Sequence, residues 1–172
     1  MANIWANPWT FVTADVATTA AITSIVRNGQ ASALITTTAP HGMVANQRIS
    51  VQGVPQGVLF PWNNSYRIDS VPTTTTILVP IRDYQGQLGN VGAVGNIFTV
   101  AYWDMWRGEQ LLWDSPAAAA VLTVTDVTGN TVWNVTAGAA GTIGPYTYGK
   151  VFFVNGLVIN ALPSGTLQIT IN

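Results

Sequence analysis

The chain has 172 residues, of which 48% are hydrophobic and only 8% are charged, and its formal net charge is −1. Soluble domains carry about 25% charged residues, so this surface must be covered by Thr, Asn, Gln and Ser or by neighbouring chains. The near-neutral balance without a basic run argues against binding to nucleic acid phosphates, and the absence of cysteine excludes disulfides and thiolate metal sites.

Residues 1–19 are predicted to form an N-terminal arm. They include Trp5, Trp9 and Phe11, which are too few apolar residues to build a core. The segment lacks the basic start and long apolar run of a secretory signal, and no run in the chain is long enough to span a bilayer. Folding in a reducing cytoplasm without membrane contact is therefore expected. Because such an arm packs on its own domain or on a neighbour, its removal is expected to weaken assembly more than folding.

Residues 20–98 are predicted to form a first β-module. Val, Ile, Thr and aromatic residues dominate it, and turn residues interrupt them at short intervals, as in all-β domains. In chain order it contains a Thr-rich strand, a Pro-His-Gly turn, a second strand, an aromatic and Asn loop and two further strands, at 33–38, 40–42, 49–51, 60–64, 66–68 and 71–77. A Gly-rich, uncharged stretch at 85–95 is predicted to be the loop that separates this module from the next.

Residues 99–172 are predicted to form a second β-module. Leu167, Ile169 and Ile171 alternate with polar residues, as a strand with one buried face requires. Hairpin turns are predicted at 126–130 and at Asn155-Gly156, because Asn and Gly adopt the left-handed conformations of tight turns. The chain is therefore predicted to be all-β, with two small β-sandwich or barrel-like modules and an extended N-terminal arm.

The segment 101–114 is the one place where carboxylates and tryptophans cluster. Asp104, Glu109 and Asp114 have the chemistry of a glycosidase acid and base pair. The tryptophans beside them are candidate sugar platforms, at Trp103, Trp106 and Trp113. Near-helical spacing offers a simpler alternative, in which one amphipathic turn buries all three rings and Arg107 pairs with a surface carboxylate. Packing is the favoured interpretation, so no catalytic residue is assigned and the chain is not expected to be an enzyme.

His41 is the single histidine of the chain and lies between Pro40 and Gly42. A metal site needs several ligands, and neither a second histidine nor a cysteine is present. A nucleophilic mechanism needs a Ser or Thr beside the histidine and an acid to orient it. The phosphate-binding patterns GxxxxGK[ST] and GxGxxG are also absent. No metal, no cofactor and no small-molecule substrate is therefore predicted.

The loop Phe60–Asn64 combines aromatic rings with two side-chain amides. These residue types stack on a sugar and hydrogen-bond to it, which makes the loop a candidate carbohydrate or receptor site. A hydrophobic plug that closes a β-barrel, or that contacts a neighbouring subunit, accounts for the same residues and is the favoured alternative. Exposed aromatics in assembly proteins usually mark protein interfaces.

Two stretches resemble sequence patterns of bacteriophage virion proteins. The order of strands and turns over 33–81, with its "PHG" turn, is similar to a β-module that recurs in virion proteins of tailed phages, where the histidine belongs to the turn. Residues 121–171 resemble a C-terminal pattern of small phage structural proteins, "D..GN.VW" followed by "NGL.V..L.SG.L.I". The segment 139–145 departs from that pattern, because it is less polar than expected.

The resemblance implies a virion structural protein, and a capsid decoration or cement protein that binds and stabilises the assembled head is the first expectation. A tail-associated protein, such as an adaptor, tube, nozzle or baseplate component, is the alternative. A carbohydrate- or host-receptor-binding module is the alternative of another class. The expected partners are major capsid or tail proteins and copies of the chain itself. The expected location is the virion, assembled in the host cytoplasm.

Overall fold

A computed structural model describes residues 9–29, 31–55, 62–81, 90–92, 95–101, 106–153 and 156–171. These ranges form strands β1 to β14, at Trp9–Phe11, Thr19–Asn28, Ser32–Thr37, Arg48–Gln52, Asn64–Arg67, Ser70–Thr73, Thr76–Pro80, Asn96–Thr99, Trp106–Asp114, Val121–Asp126, Thr131–Thr136, Ile143–Phe153, Leu157–Ala161 and Thr166–Ile171. Within these ranges the one helical element is a 3₁₀ turn, Thr13–Asp15. No helix in the described ranges is long and apolar enough to cross a membrane. The prediction of an all-β fold is confirmed.

The first half of the chain forms a seven-stranded antiparallel sheet in the order β5-β4-β8-β2-β3-β7-β6. Residues 68 and 69 connect the two edge strands, β5 and β6, and hydrogen-bond to both sides of this sheet. The Ile68 amide donates to the Gln47 carbonyl before β4 at 2.9 Å, and the Asp69 amide donates to Leu78 of β7 at 2.8 Å. The sheet therefore curls around its own buried face.

The residues on that concave face form a first hydrophobic core. Burial alternates along β3, where Ala33, Ile35 and Thr37 point inward and their neighbours are half-buried. This is the period of two that a strand with one covered face requires. The buried hydrophobic residues of this core are Ala20, Ile22, Ile25, Ala33, Ile35, Met43, Ile49, Val51, Val54, Trp62, Ile68, Ile77, Val79, Ile81 and Ile97.

The second half contains a four-stranded sheet, β1-β14-β9-β12, and a three-stranded sheet, β11-β10-β13. Residues from both sheets pack into one second core, so this half is sandwich-like. Phe11 belongs to that core, because β1 pairs with β14. Within the predicted arm, residues 9–11 are therefore a strand of the second half. The core members are Phe11, Trp113, Ala120, Leu122, Val124, Trp133, Ala137, Leu157, Ile159, Leu162, Leu167 and Ile169.

The local predictions in this half had mixed outcomes. The hairpin at 126–130 is confirmed: β10 and β11 pair, the Asp126 amide donates to the Asn130 carbonyl at 2.9 Å, and Gly129 has φ +94°. Asn155 lies outside the described residues, but the strands on either side do not form the hairpin predicted at Asn155-Gly156, because β12 pairs with β9 whereas β13 pairs with β10. The flanking strands thus lie in different sheets, and packing in the second core overrides a local turn signal. The helical alternative for the tryptophan segment is also wrong where described, since 106–114 is strand β9.

Candidate functional site

The Pro-His-Gly turn after β3 is fixed against the turn that connects β6 and β7. The Thr37 amide donates to the Thr75 carbonyl at 2.8 Å, and its hydroxyl donates to the Ala39 carbonyl at 2.7 Å. The His41 amide donates to the Thr74 carbonyl at 3.0 Å. Segments more than thirty residues apart in the sequence thus meet at one end of the seven-stranded sheet, and the meeting point positions His41.

The imidazole of His41 is only 2% exposed. Its Nδ1 accepts a hydrogen bond from the Met43 amide at 3.0 Å, across Gly42, whose φ is +65°. A neutral imidazole that accepts at Nδ1 carries its hydrogen on Nε2. Nε2 is buried and has no hydrogen-bond partner among the described residues. His41 therefore supports its own turn through one nitrogen, as predicted for a structural residue, and presents an unused donor on the other.

A partly open groove lies beside this turn, with a volume of about 470 Å³. It runs between the turn and β6, the last strand of the sheet in the described chain. No lysine, arginine, aspartate or glutamate lines it. Val44, 63% exposed, follows the turn in sequence. The groove is lined by Pro40, His41, Gly42, Met43, Val71, Thr73 and Thr74.

The sequence alone did not predict this groove. Its two walls are residues 40–43 and 71–74, which are far apart in the sequence and meet only in the folded chain. No sequence pattern links the two segments. The lone histidine was the available signal, because a histidine with one nitrogen in a turn still has a second nitrogen to satisfy. In the described part of the chain, no group of three or more His, Cys, Asp or Glu residues is placed to hold a metal ion.

The aromatic and Asn loop lies partly outside the described residues, since Phe60 and Pro61 are not among them. Trp62 is 4% exposed and packs in the first core. The Asn63 side chain accepts from the Val54 amide at 2.9 Å and donates to the Val54 carbonyl at 3.0 Å. The described part of the loop is thus a packed closure of the core, and the Trp62 ring offers no exposed face for a sugar.

Tyr66 completes this closure from β5. Its hydroxyl donates to the Trp62 carbonyl at 3.0 Å. Burial raises the pKa of Tyr66 to about 12, because the phenolate would lose its hydration in the core. The tyrosine therefore stays neutral and acts as a hydrogen-bond donor at ordinary pH.

The carboxylate and tryptophan segment is only partly described. Trp103 and Asp104 lie outside the described residues, as do the side chains of Trp106, Arg107 and Glu109. Trp113 is fully buried, and its Nε1 donates to the Ser164 carbonyl at 2.9 Å. Asp114 accepts from the Thr142 hydroxyl at 2.7 Å. These hydrogen bonds connect the end of β9 to Ser164 and to Thr142. Trp113 is a core residue rather than a sugar platform.

A set of hydrogen-bonded polar side chains joins the two halves of the chain, and the sequence did not predict it. This polar seam consists of the buried Ser50 and Gln52 from β4, the buried Thr125 from β10 and the half-buried Asn160 from β13. The Ser50 hydroxyl donates to the Val127 carbonyl. The Gln52 side-chain Nε2 donates to the Ser50 hydroxyl at 3.0 Å and to the Thr125 hydroxyl at 3.2 Å. Thr125 donates in turn to Asn160 at 2.9 Å.

The described residues thus contain two features that ordinary packing does not require: the groove beside His41 and the polar seam. Comparison of the chain with protein-family models, with curated proteins and with solved structures found no match.

Proposed function

We propose that the chain is a bacteriophage virion structural protein that acts through contacts with other proteins, in the first place as a capsid decoration or cement protein. The observation that best supports this is the all-β architecture of open antiparallel sheets. In the described chain the outermost strands are β5, β6, β11, β13, β1 and β12. Of these, β13 already accepts backbone hydrogen bonds from the Ala17 and Ala101 amides, so its edge is partly occupied. Open strand edges bind extended segments of other chains through backbone hydrogen bonds. Such contacts need no charged side chain and no catalytic residue.

The composition supports the same role. Only 8% of the residues are charged, and interface cores are depleted in charged residues and enriched in aromatic ones. Contacts made by apolar groups and backbone amides are little affected by salt, because ionic screening acts on charges. A protein of this kind stays on its particle in high salt, where one held by ion pairs dissociates.

The proposed partners are the major capsid protein, or tail proteins, together with copies of the chain itself. The resemblance of 33–81 and 121–171 to phage virion patterns supports this choice of partners. The PHG-type module that 33–81 resembles is also frequent in tail proteins, so a tail-associated role is the second candidate within the virion. The proposed role is non-catalytic, and the proposed location is the particle.

Immunogold electron microscopy of particles from the source culture tests this proposal. Antibody raised against the chain is applied before and after washing in about 1 M salt, which reduces screening lengths to about 3 Å. Label spread over heads and retained after the wash supports decoration, and label confined to tails or necks assigns the protein to the tail. Antibody pre-absorbed with the purified chain is the control. Particles that carry no label above that control overturn the proposal.

A further inference from the structure

We propose that the groove beside His41 is a binding site for an uncharged, extended peptide segment of a partner protein. The peptide lies along β6 and accepts a hydrogen bond from His41 Nε2–H through a backbone carbonyl oxygen. This inference goes beyond the proposed function, because it specifies a surface and the chemistry of its ligand. It holds for the isolated chain, whatever particle the chain occupies.

The unused donor in the groove is the Nε2–H group of His41. Buried polar groups are nearly always hydrogen-bonded, so each exception in a folded protein requires an explanation. His41 Nδ1 is committed to the Met43 amide, which leaves the hydrogen on Nε2. That nitrogen has no partner in the described chain, and its residue lines the groove. Because His41 lines the groove, the partner we infer for this nitrogen is a hydrogen-bond acceptor that enters from the groove.

The lining of the groove favours a ligand without charge. The groove contains Pro, Gly, Met, Val and Thr beside the histidine, and no lysine, arginine or acid lines it. A carboxylate or phosphate would lose its hydration there without gaining a cationic partner, which is costly. A neutral carbonyl oxygen satisfies the donor without that penalty. The ligand is therefore an uncharged segment with apolar side chains.

The edge strand β6 favours a ligand of extended shape. β6 pairs with β7 on one side and is the last strand of its sheet among the described residues. An extended peptide can pair with such an edge, but Pro72 in the middle of β6 has no amide hydrogen to donate. His41 supplies a donor close to that edge. Exposed Val44, Pro40 and Pro72 add apolar surface near the groove.

The experiment uses the purified full-length chain and a displayed library of random linear heptapeptides. Peptides selected on the wild-type chain are synthesised, and their affinities are measured by fluorescence anisotropy. His41→Asn is the main variant, because the Asn side-chain oxygen can replace Nδ1 as acceptor for the Met43 amide while the Nε2 donor is lost. We expect selected peptides to be uncharged and to bind His41→Asn about tenfold more weakly, as expected for the loss of one buried hydrogen bond.

Two matched Val→Asp variants, one next to the groove and one far from it, keep the test decisive if His41→Asn is unstable. Val44→Asp places a charge at the exposed residue that directly follows Met43 of the groove and is expected to reduce peptide affinity at least as much. Val121→Asp alters an exposed valine, 39% accessible, in the second half of the chain and is expected to have no effect. Peptides that bind Val44→Asp and Val121→Asp equally, or a library that yields no peptide sensitive to Val44→Asp, would overturn the proposal.

A second readout reports on the imidazole directly. The chain has one histidine, so its long-range ¹H–¹⁵N spectrum contains a single imidazole. Saturation with a selected peptide should move the Nε2–H proton downfield and slow its exchange with water, while Nδ1 remains an acceptor. Unchanged imidazole signals at saturation, or a crystal structure with peptide bound and an ordered water still on Nε2, would show that the donor has another partner and would refute the proposal.

Discussion

The side-chain amide of Gln52 in the seven-stranded sheet donates to the hydroxyl oxygen of Thr125 in the three-stranded sheet, at 3.2 Å. Both residues are at least nine-tenths buried, and Thr125 passes the chain of hydrogen bonds on to Asn160. Buried polar networks of this kind stabilise one arrangement of the surrounding elements, since any other arrangement leaves donors and acceptors unpaired. The polar seam therefore fixes how the two halves meet.

Thr125→Val is predicted to weaken this junction. The substitution keeps the shape of the side chain but removes the hydroxyl, so that Gln52 and Asn160 each lose a partner in a buried site. The expected loss is about 1–3 kcal/mol of unfolding free energy, measured by urea denaturation. Thr136→Val, at an exposed position on the neighbouring strand, is the control and is expected to change stability by less than about 0.5 kcal/mol. Equal effects of the two variants would contradict a structural role for the seam.

Gly95→Ala is predicted to be strongly destabilising because two penalties coincide. Gly95 has φ +78°, and an added Cβ would lie 2.4 Å from the Gln52 carbonyl oxygen. Gly29 has a similar φ of +75° but open space around its Cα. Gly29→Ala is therefore expected to cost about 1–2 kcal/mol through the left-handed backbone alone. The loss of unfolding free energy in Gly95→Ala should exceed that range and reach about 3 kcal/mol or more. Calorimetry of both variants measures the two losses, and their difference is the contribution of the steric clash.

The sequence predicted local features more reliably than long-range ones. The burial of Leu167 and Ile169 on one face of β14 and the turn at Gly129 depend on neighbouring residues alone, so the sequence predicted both. The pairing of β13 with β10 depends on Ile159 and Val124 meeting in a core, which no local pattern encodes. Asn155-Gly156 therefore gave a false hairpin. The groove was missed for the same reason, since its walls meet only in the folded chain.

The pH dependence of stability is predicted to report on Tyr66. Burial raises the pKa of this tyrosine to about 12 in the fold, from 10.0 without burial. The folded state therefore holds the phenolic proton more tightly, so the stabilisation is complete below pH 10 and is lost as the pH rises towards 12. The loss should reach about 2–3 kcal/mol. Tyr66→Phe lacks this proton and should cost about 1 kcal/mol at neutral pH, through the lost bond to the Trp62 carbonyl.

Unfolding free energies of the wild type and Tyr66→Phe are compared by urea denaturation between about pH 8.5 and pH 11.5, a window chosen to span the ordinary tyrosine pKa. Subtracting the two curves removes the contributions of the other tyrosines and of Lys150. The difference between the proteins should shrink and then reverse as the pH rises. Parallel curves would show that the Tyr66 hydroxyl ionises as readily in the folded chain as in the unfolded one.

Trp62→Ala is predicted to act on stability rather than on sugar recognition. Because the ring is 4% exposed and belongs to the first core, its removal leaves a cavity that should cost about 3–5 kcal/mol. Val44→Ala, which truncates an exposed side chain, is the control and should be nearly neutral. Sugar titrations followed by tryptophan fluorescence should leave the wild-type spectrum unchanged. Saturable quenching at unchanged stability would instead favour the carbohydrate-binding alternative.

Truncation of the N-terminal segment is predicted to destabilise the fold, contrary to the expectation from sequence that it matters mainly for assembly. Deletion of residues 1–12 removes β1 and the 7%-exposed Phe11, which packs in the second core. The point variant Phe11→Ala isolates the packing contribution and should by itself cost about 3–5 kcal/mol. Deletion of residues 1–8 keeps β1 and is the matched control. If both deletions give the same melting temperature as the full chain, the pairing of β1 with β14 contributes nothing to stability, and the segment serves assembly alone.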